Sequence, residues 1–326
     1  MQEVVFLNKN KERWEKTEYL LNKVKDIDPD ELAELFVTLT DDLSFARTFY
    51  PKSKVTGYLN GLTLKIHQKI YQKKKEKSSR LQSFWTTEVP LVVAKHQKEL
   101  LYAFIIFAVS MLIGIISTAN DDNFVRLILG DSYVNMTLEN IDKGDPMAVY
   151  KEMHQVDMFF GITVNNIFVS LLTFINGIIL SFGTAYHLFS NGIMLGAFQY
   201  FFYEKGLLLD SVLVIWIHGT IEISSIIIAG GAGLVLGNSI LFPGTYSRLE
   251  SFKRGSLEGL KIVIGLVPLF IIAGFLESFI TRYTEMPVFL SISIIAGSLF
   301  LILFYFVFYP VKLKKRIENH QEKNDE

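Results

Sequence analysis

The chain has 326 residues, 50% of them hydrophobic and 20% charged, with a mean hydropathy above zero. That length would suit two soluble domains, yet the apolar residues concentrate after Leu100 in runs longer than a soluble core helix needs. A soluble enzyme, a secreted disulfide scaffold and a disordered chain are thereby excluded, and a formal net charge of -1 gives no pull toward nucleic acid. With no cysteine, the chain has neither disulfides nor thiolate chemistry. Its opening, MQEVVFLNKNKERWEK, lacks the apolar core of an export signal.

Residues 1–98 read as a helical cytoplasmic region. Asp28-Pro29-Asp30-Glu31 is a helix start, with a capping side chain, proline in the first turn and acids at the positive end of the dipole. Leu32, Leu35, Phe36 and Leu39 follow at helical spacing, and Leu59, Leu62, Ile66 and Ile70 make a second stripe after Pro51. Two or three helices can bury these stripes against each other. The basic run Lys73-Lys74-Lys75-Glu76-Lys77 with Arg80 reads as a solvated helix end, with attraction to anionic headgroups as the functional alternative. Leu81, Phe84, Trp85 and Val89, before Pro90, form an aromatic-bearing stretch of the kind that lies in the membrane interface as an elbow.

A transmembrane domain is expected over 99–310, with a cytoplasmic tail from 311 to 326. Its six predicted spans run over 100–119, 161–182, 188–202, 211–237, 262–280 and 288–309, with a polar outer loop at 120–160. The fourth span is overlong: with Leu207 to Leu209 it measures about 45 Å at helical rise, against a core of roughly 30 Å. A bend or break is expected at Ala229-Gly230-Gly231-Ala232-Gly233. Basic residues collect before span one, between spans four and five (Arg248, Lys253, Arg254, Lys261) and after span six (Lys312, Lys314, Lys315, Arg316). Six crossings put all three groups on one side, so both termini are expected in the cytoplasm.

The strongest chemical signal is Trp216-Ile217-His218-Gly219-Thr220-Ile221-Glu222. His218 and Glu222 are four apart, share one helical face and can hydrogen-bond. Ionisable groups inside a span are costly, so a proton relay, a metal site or a satisfied structural pair are the three readings. A metal would need another protein ligand, for which His187, Glu277 and Asp210 are the candidates; no metal, cofactor or catalytic residue is assigned. Asn176-Gly177 and Asn191-Gly192 recur in spans two and three, and their amides are read as interhelical glue or supports of the polar site. Gly192 with Gly196, and Gly233 with Gly237, make two small-residue faces for close helix packing, through which a homodimer could form. The acids of the outer loop, Asp121, Asp122, Asp131, Asp142 and Asp145, are solvated or meet an envelope partner.

The order of these features resembles the stage II sporulation protein M family of bacterial membrane proteins. The likeness rests on Asp42-Leu43-Ser44-Phe45-Ala46-Arg47, Tyr58-Leu59-Asn60, and His67 with Ile70-Tyr71 in the soluble part, and on the stretch from Phe84 to Pro90. In the membrane part it rests on Asn176-Gly177, on Asn191-Gly192 with Gly196, and on His218-Gly219 with Glu222 and Ala229-Gly230. The resemblance implies a multi-pass plasma-membrane protein. Its relatives in spore formers join peptidoglycan hydrolases in a membrane complex, and others are encoded beside a MoxR-type ATPase. It carries over no catalytic residue. The expected fold is an all-α polytopic membrane protein. The expected function is a non-enzymatic scaffold or transport-linked partner in an envelope assembly. A secondary transporter or channel using His218 and Glu222, and an intramembrane metal-dependent hydrolase, are the alternatives.

Overall fold

The computed structural model describes residues 3–23, 28–71, 79–151 and 154–325. Among them there is no strand, and the chain divides into two compact units at Arg80/Leu81. The run Lys73 to Lys77 lies outside the described residues.

The first unit is built from α1 (Glu3–Lys23), α2 (Pro29–Phe49) and α3 (Lys54–Tyr71). The two predicted stripes close on each other: Leu32, Leu39, Leu43, Ala46, Leu59, Leu62 and Ile66 are buried, joined by Phe6 and Trp14 from α1. Removal of these side chains from water holds the three helices together. Asp42 clamps α1 by accepting from Arg13 at 2.5 Å and from the Trp14 indole at 2.8 Å. Arg47 reaches Asn60 on α3 at 2.7 Å.

The second unit opens with the end of α4 (Ser79–Ser83), a π turn at Phe84–Glu88 and α5 (Val89–Lys95). The stretch read as an interfacial elbow is anchored within this unit. The Trp85 indole donates to the Gly265 carbonyl at 3.3 Å, Tyr305 donates to the Trp85 carbonyl at 2.6 Å, and Lys261 pairs with Glu88 at 2.7 Å. Val89 and Val93 are fully buried. The long helices follow: α6 (Gln97–Asn120), then α7 (Phe124–Leu129) and α8 (Asp131–Asp142), then α9 (Gln155–Ile175), α10 (Phe182–Glu204), α11 (Leu208–Leu241), α12 (Arg248–Phe275), α13 (Val288–Leu303) and α14 (Tyr309–Asp325). A π turn, Leu276–Thr281, extends α12.

Among the described residues, five helical segments are long and apolar enough to cross a membrane: Gln97–Asn120, Gln155–Ile178, Leu208–Leu241, Arg248–Thr281 and Val288–Asn319. The protein is an all-α multi-pass membrane protein. The helix over the predicted third span, α10, has 23 residues and is about 34 Å long at helical rise. Its His187, Asn191, Gln199 and Glu204 keep it below that apolarity, and it packs against α6 and α11. The peripheral helices turn large apolar side chains outward, as Leu101, Phe104, Ile105, Leu112 and Ile116 do on α6. Lipid, rather than protein, is the natural solvent for that face.

The structure corrects one expectation. The break at Ala229–Gly233 does not occur: α11 is one helix from Leu208 to Leu241, with all five of those residues buried. Glycine here serves close approach, because a Cβ on Gly230 would stand 2.5 Å from Leu188 Cδ2 and one on Gly231 3.0 Å from Leu100 Cα. Packing against α10 and α6 outweighs the low helix propensity of glycine. The glycine faces serve close helix packing within the chain. A Cβ on Gly192 would lie 2.7 Å from the Phe107 carbonyl, one on Gly233 2.9 Å from the Thr173 carbonyl, and one on Gly237 2.8 Å from the Gly177 carbonyl. Gly196 meets the Met111 backbone.

The outer loop is more ordered than its polarity suggests. Val125 and Val134 on α7 and α8 are buried with Met147, Phe201, Phe202 and Val214, so the loop caps one end of α10 and α11.

Candidate functional site

The site forms where that capped end meets the interior. His218 and Glu222 project from α11, the most buried of the apolar helices, and Glu222 lies about 20 Å along it from Leu208. His218 is 4% exposed. The end of α12 supplies Glu277 and Thr281 from its π turn, whose wider winding carries both at the bundle interior. From α9 comes Asn166, and from the loop comes Tyr150, whose ring stands edge-on to the His218 imidazole with centroids 5.7 Å apart. Arg282 donates to the Lys151 carbonyl at 3.0 Å and ties this part of the loop to the end of α12.

The polar contacts are few and specific. His218 Nδ1 is 2.9 Å from Thr281 Oγ1, and its Nε2 is 3.8 Å from Glu277 Oε1. Asn166 donates to Glu222 Oε1 at 2.5 Å. One ligand atom from each of His218, Glu222 and Glu277 lies within 4.8 Å of the other two. Among the described residues the Glu277 carboxylate accepts no hydrogen bond. A cavity of about 440 Å³ reaches the group, with Tyr150, Met158, Asn165, Asn166, Glu222 and Glu277 on its wall. Outside the spans, burial pushes the Tyr150 hydroxyl well above its ordinary pKa, and the nearby Glu277 adds to the shift, so it stays a neutral phenol.

His218 and Glu222 are brought together, but they do not bond to each other: His218 turns to Thr281 and Glu222 to Asn166. Each side chain finds a better placed partner on a neighbouring helix. Of the three candidate third ligands, the structure brings in Glu277 alone. His187 sits elsewhere, with Asn176 Nδ2 2.9 Å from its Nε2 and Asn191 donating to its carbonyl at 2.8 Å. Those residues tie α9 to α10 and do not support the site. Asp210 is exposed. Asn166, Thr281 and Tyr150 went unread in the sequence. The pair Asn165-Asn166 was a usable signal, since two amides inside a span call for a polar partner.

The stage II sporulation protein M family matches residues 103–282, more than half of the chain and the whole of this site. The chain belongs to the stage II sporulation protein M family. A separate match covers residues 4–72, the first compact unit, by a domain of unknown function (DUF8413). No curated protein and no solved structure matches the chain. In this family member, the His218-Gly219 and Glu222 positions that carried the resemblance are two corners of the buried polar cluster.

Proposed function

We propose that the protein is the membrane-embedded, transport-linked component of a bacterial envelope assembly, and that its His218–Glu222–Glu277 cluster handles a cation. It resides in the plasma membrane with both termini in the cytoplasm, the orientation that the basic residues beside the spans favour. Family membership supports the first part. One observation carries the second: an imidazole and two carboxylates from two helices converge within the lipid-facing unit, and both carboxylates line a cavity. Two carboxylates so close, far from bulk water, need protons or a cation between them. A purely structural pair would not need the second acid.

The experiment is flux in proteoliposomes that hold a pH-sensitive and a divalent-sensitive dye. Wild-type protein should dissipate an imposed proton or divalent gradient faster than His218→Ala or Glu222→Gln. Equal leak from all three overturns the reading.

A scaffold role is favoured by the ordered loop, which holds Asp121, Asp122, Asp131 and Asp142 exposed on a packed cap. If capture of partners is the function, replacing those four acids by asparagine should abolish co-purification of envelope proteins and leave the flux unchanged.

A further inference from the structure

The geometry points to a divalent transition-metal site, of the kind zinc fills, with His218 Nε2, Glu222 and Glu277 as its protein ligands. This inference rests on the cation-handling reading and names the cation class.

Zinc takes imidazole nitrogen and carboxylate oxygen at about 2.0–2.2 Å, which sets neighbouring ligand atoms about 3.3–3.6 Å apart in a tetrahedron. His218 Nε2 and Glu277 Oε1 stand 3.8 Å apart, and all three ligand atoms lie within 4.8 Å of one another. Small χ rotations of the two glutamates close the difference. The pair at 3.8 Å is too long for a hydrogen bond and short enough to share an ion. Glu277 accepts no hydrogen bond among the described residues, an unusual state for a carboxylate that is 14% exposed. Glu277 also lines the cavity, from which an ion can reach it.

The surroundings fit the same assignment. Ligating histidines commonly donate their second ring N–H to an oxygen, which fixes tautomer and ring orientation. Thr281 Oγ1 at 2.9 Å from Nδ1 is placed to accept that proton and leave the Nε2 lone pair toward Glu277. Asn166 orients Glu222 in the same way. Neutral imidazole, two carboxylates and a divalent cation sum to zero charge, which makes the group tolerable in a low-dielectric bundle. Imidazole with carboxylates suits zinc or its first-row neighbours better than calcium, which prefers six or more oxygens. The cavity supplies water for the remaining coordination position.

The test uses the full chain, purified in detergent with any affinity tag removed and treated with chelator. Zinc chloride is titrated by calorimetry, and cobalt(II) by its visible absorption, which is intense for a tetrahedral site. The expected result is one ion per chain, with Glu277→Gln and His218→Gln abolishing uptake and Asn166→Ala weakening it by about 10–100-fold. His96→Gln should leave it unchanged, because His96 belongs to a different carboxylate group. A monodisperse wild-type protein that takes up no zinc or cobalt overturns the proposal, whatever the variants do. So does uptake that survives Glu277→Gln. Proton flux that depends on His218, together with absent metal uptake, would retain the cation-handling reading and reject the metal.

Discussion

His218 Nε2 and Glu277 Oε1 face each other across 3.8 Å from two different helices, with no hydrogen bond between them. The gap has a consequence for stability. In chelated protein, protons take the place of the ion between Glu277 and Glu222, and Glu277→Gln mimics the neutral acid while keeping its shape. The melting temperature of the chelated variant should therefore equal or exceed that of wild type. Zinc at a hundred times its dissociation constant should stabilise wild type by about 2.7 kcal/mol and leave the variant unmoved. Thermal unfolding in detergent, followed by tryptophan fluorescence, reads both. A metal-induced rise of the same size in the variant would contradict the pairing.

Two glycines should respond in opposite ways. A Cβ on Gly196 meets the Met111 carbonyl and lies 2.9 Å from Ile115 N, both backbone atoms of α6 that cannot step aside. Gly196→Ala should cost about 1–3 kcal/mol through overpacking. Gly219, beside the site histidine, has only Ile215 Cγ2 and Ile223 Cδ1 near its missing Cβ, each at 3.8 Å. Gly219→Ala should be neutral or stabilising by up to about 1 kcal/mol, since alanine favours helix. Melting temperatures of the two variants check the contrast, and a destabilising Gly219→Ala would mean that this glycine has a role beyond packing.

The bundle was largely legible because lipid demands long apolar runs, and among the described residues five helical segments are long and apolar enough to cross a membrane. The stripes of the first unit were legible for the same kind of reason, a period of 3.6 with capped starts. What misled was local chemistry read without its neighbours. The Ala229–Gly233 run looks like a hinge in isolation, yet Leu188 and Leu100 lean on it and keep it helical. His218 and Glu222 look like a bonded pair by spacing, yet Thr281 and Asn166 compete for them from other helices. Glu277 entered the sequence reading only as one of three guesses, because no spacing rule links the end of one span to the middle of another.

A pH effect should come from the other imidazole–carboxylate group. His96 Nε2 is 2.6 Å from Glu258 Oε2, and Nδ1 is 3.6 Å from Glu99 Oε2. Burial opposes the imidazolium, but the hydrogen bonds to Glu258 and Glu99 outweigh it and raise the His96 pKa above its ordinary 6.5. The folded protein thus holds this proton more tightly than the unfolded chain. Its stabilisation is complete below the unfolded value of about 6.5 and is lost as pH climbs through the raised folded value. Wild type should lose more thermal stability between pH 6 and pH 9 than His96→Gln does. Parallel pH profiles would show that the ring carries no such proton.

Topology turns on α10, the long helix whose polar residues leave it outside the five most apolar segments. If α10 crosses, there are six crossings and the termini share a side; if it does not, they lie on opposite sides. The chain has no cysteine, so single-cysteine variants report without background. Lys11, Asp142, Thr245 and Lys314 are exposed and spread over the tails and connecting loops. At about 34 Å, α10 is long enough for the roughly 30 Å hydrocarbon core, and the basic residues in the first half of α12 and after α13 favour the cytoplasmic side. In intact cells an impermeant maleimide should therefore label Asp142→Cys and spare Lys11→Cys, Thr245→Cys and Lys314→Cys until the cells are opened. Labelling of exactly one terminus in closed cells would fix an odd number of crossings and remove α10 from the count.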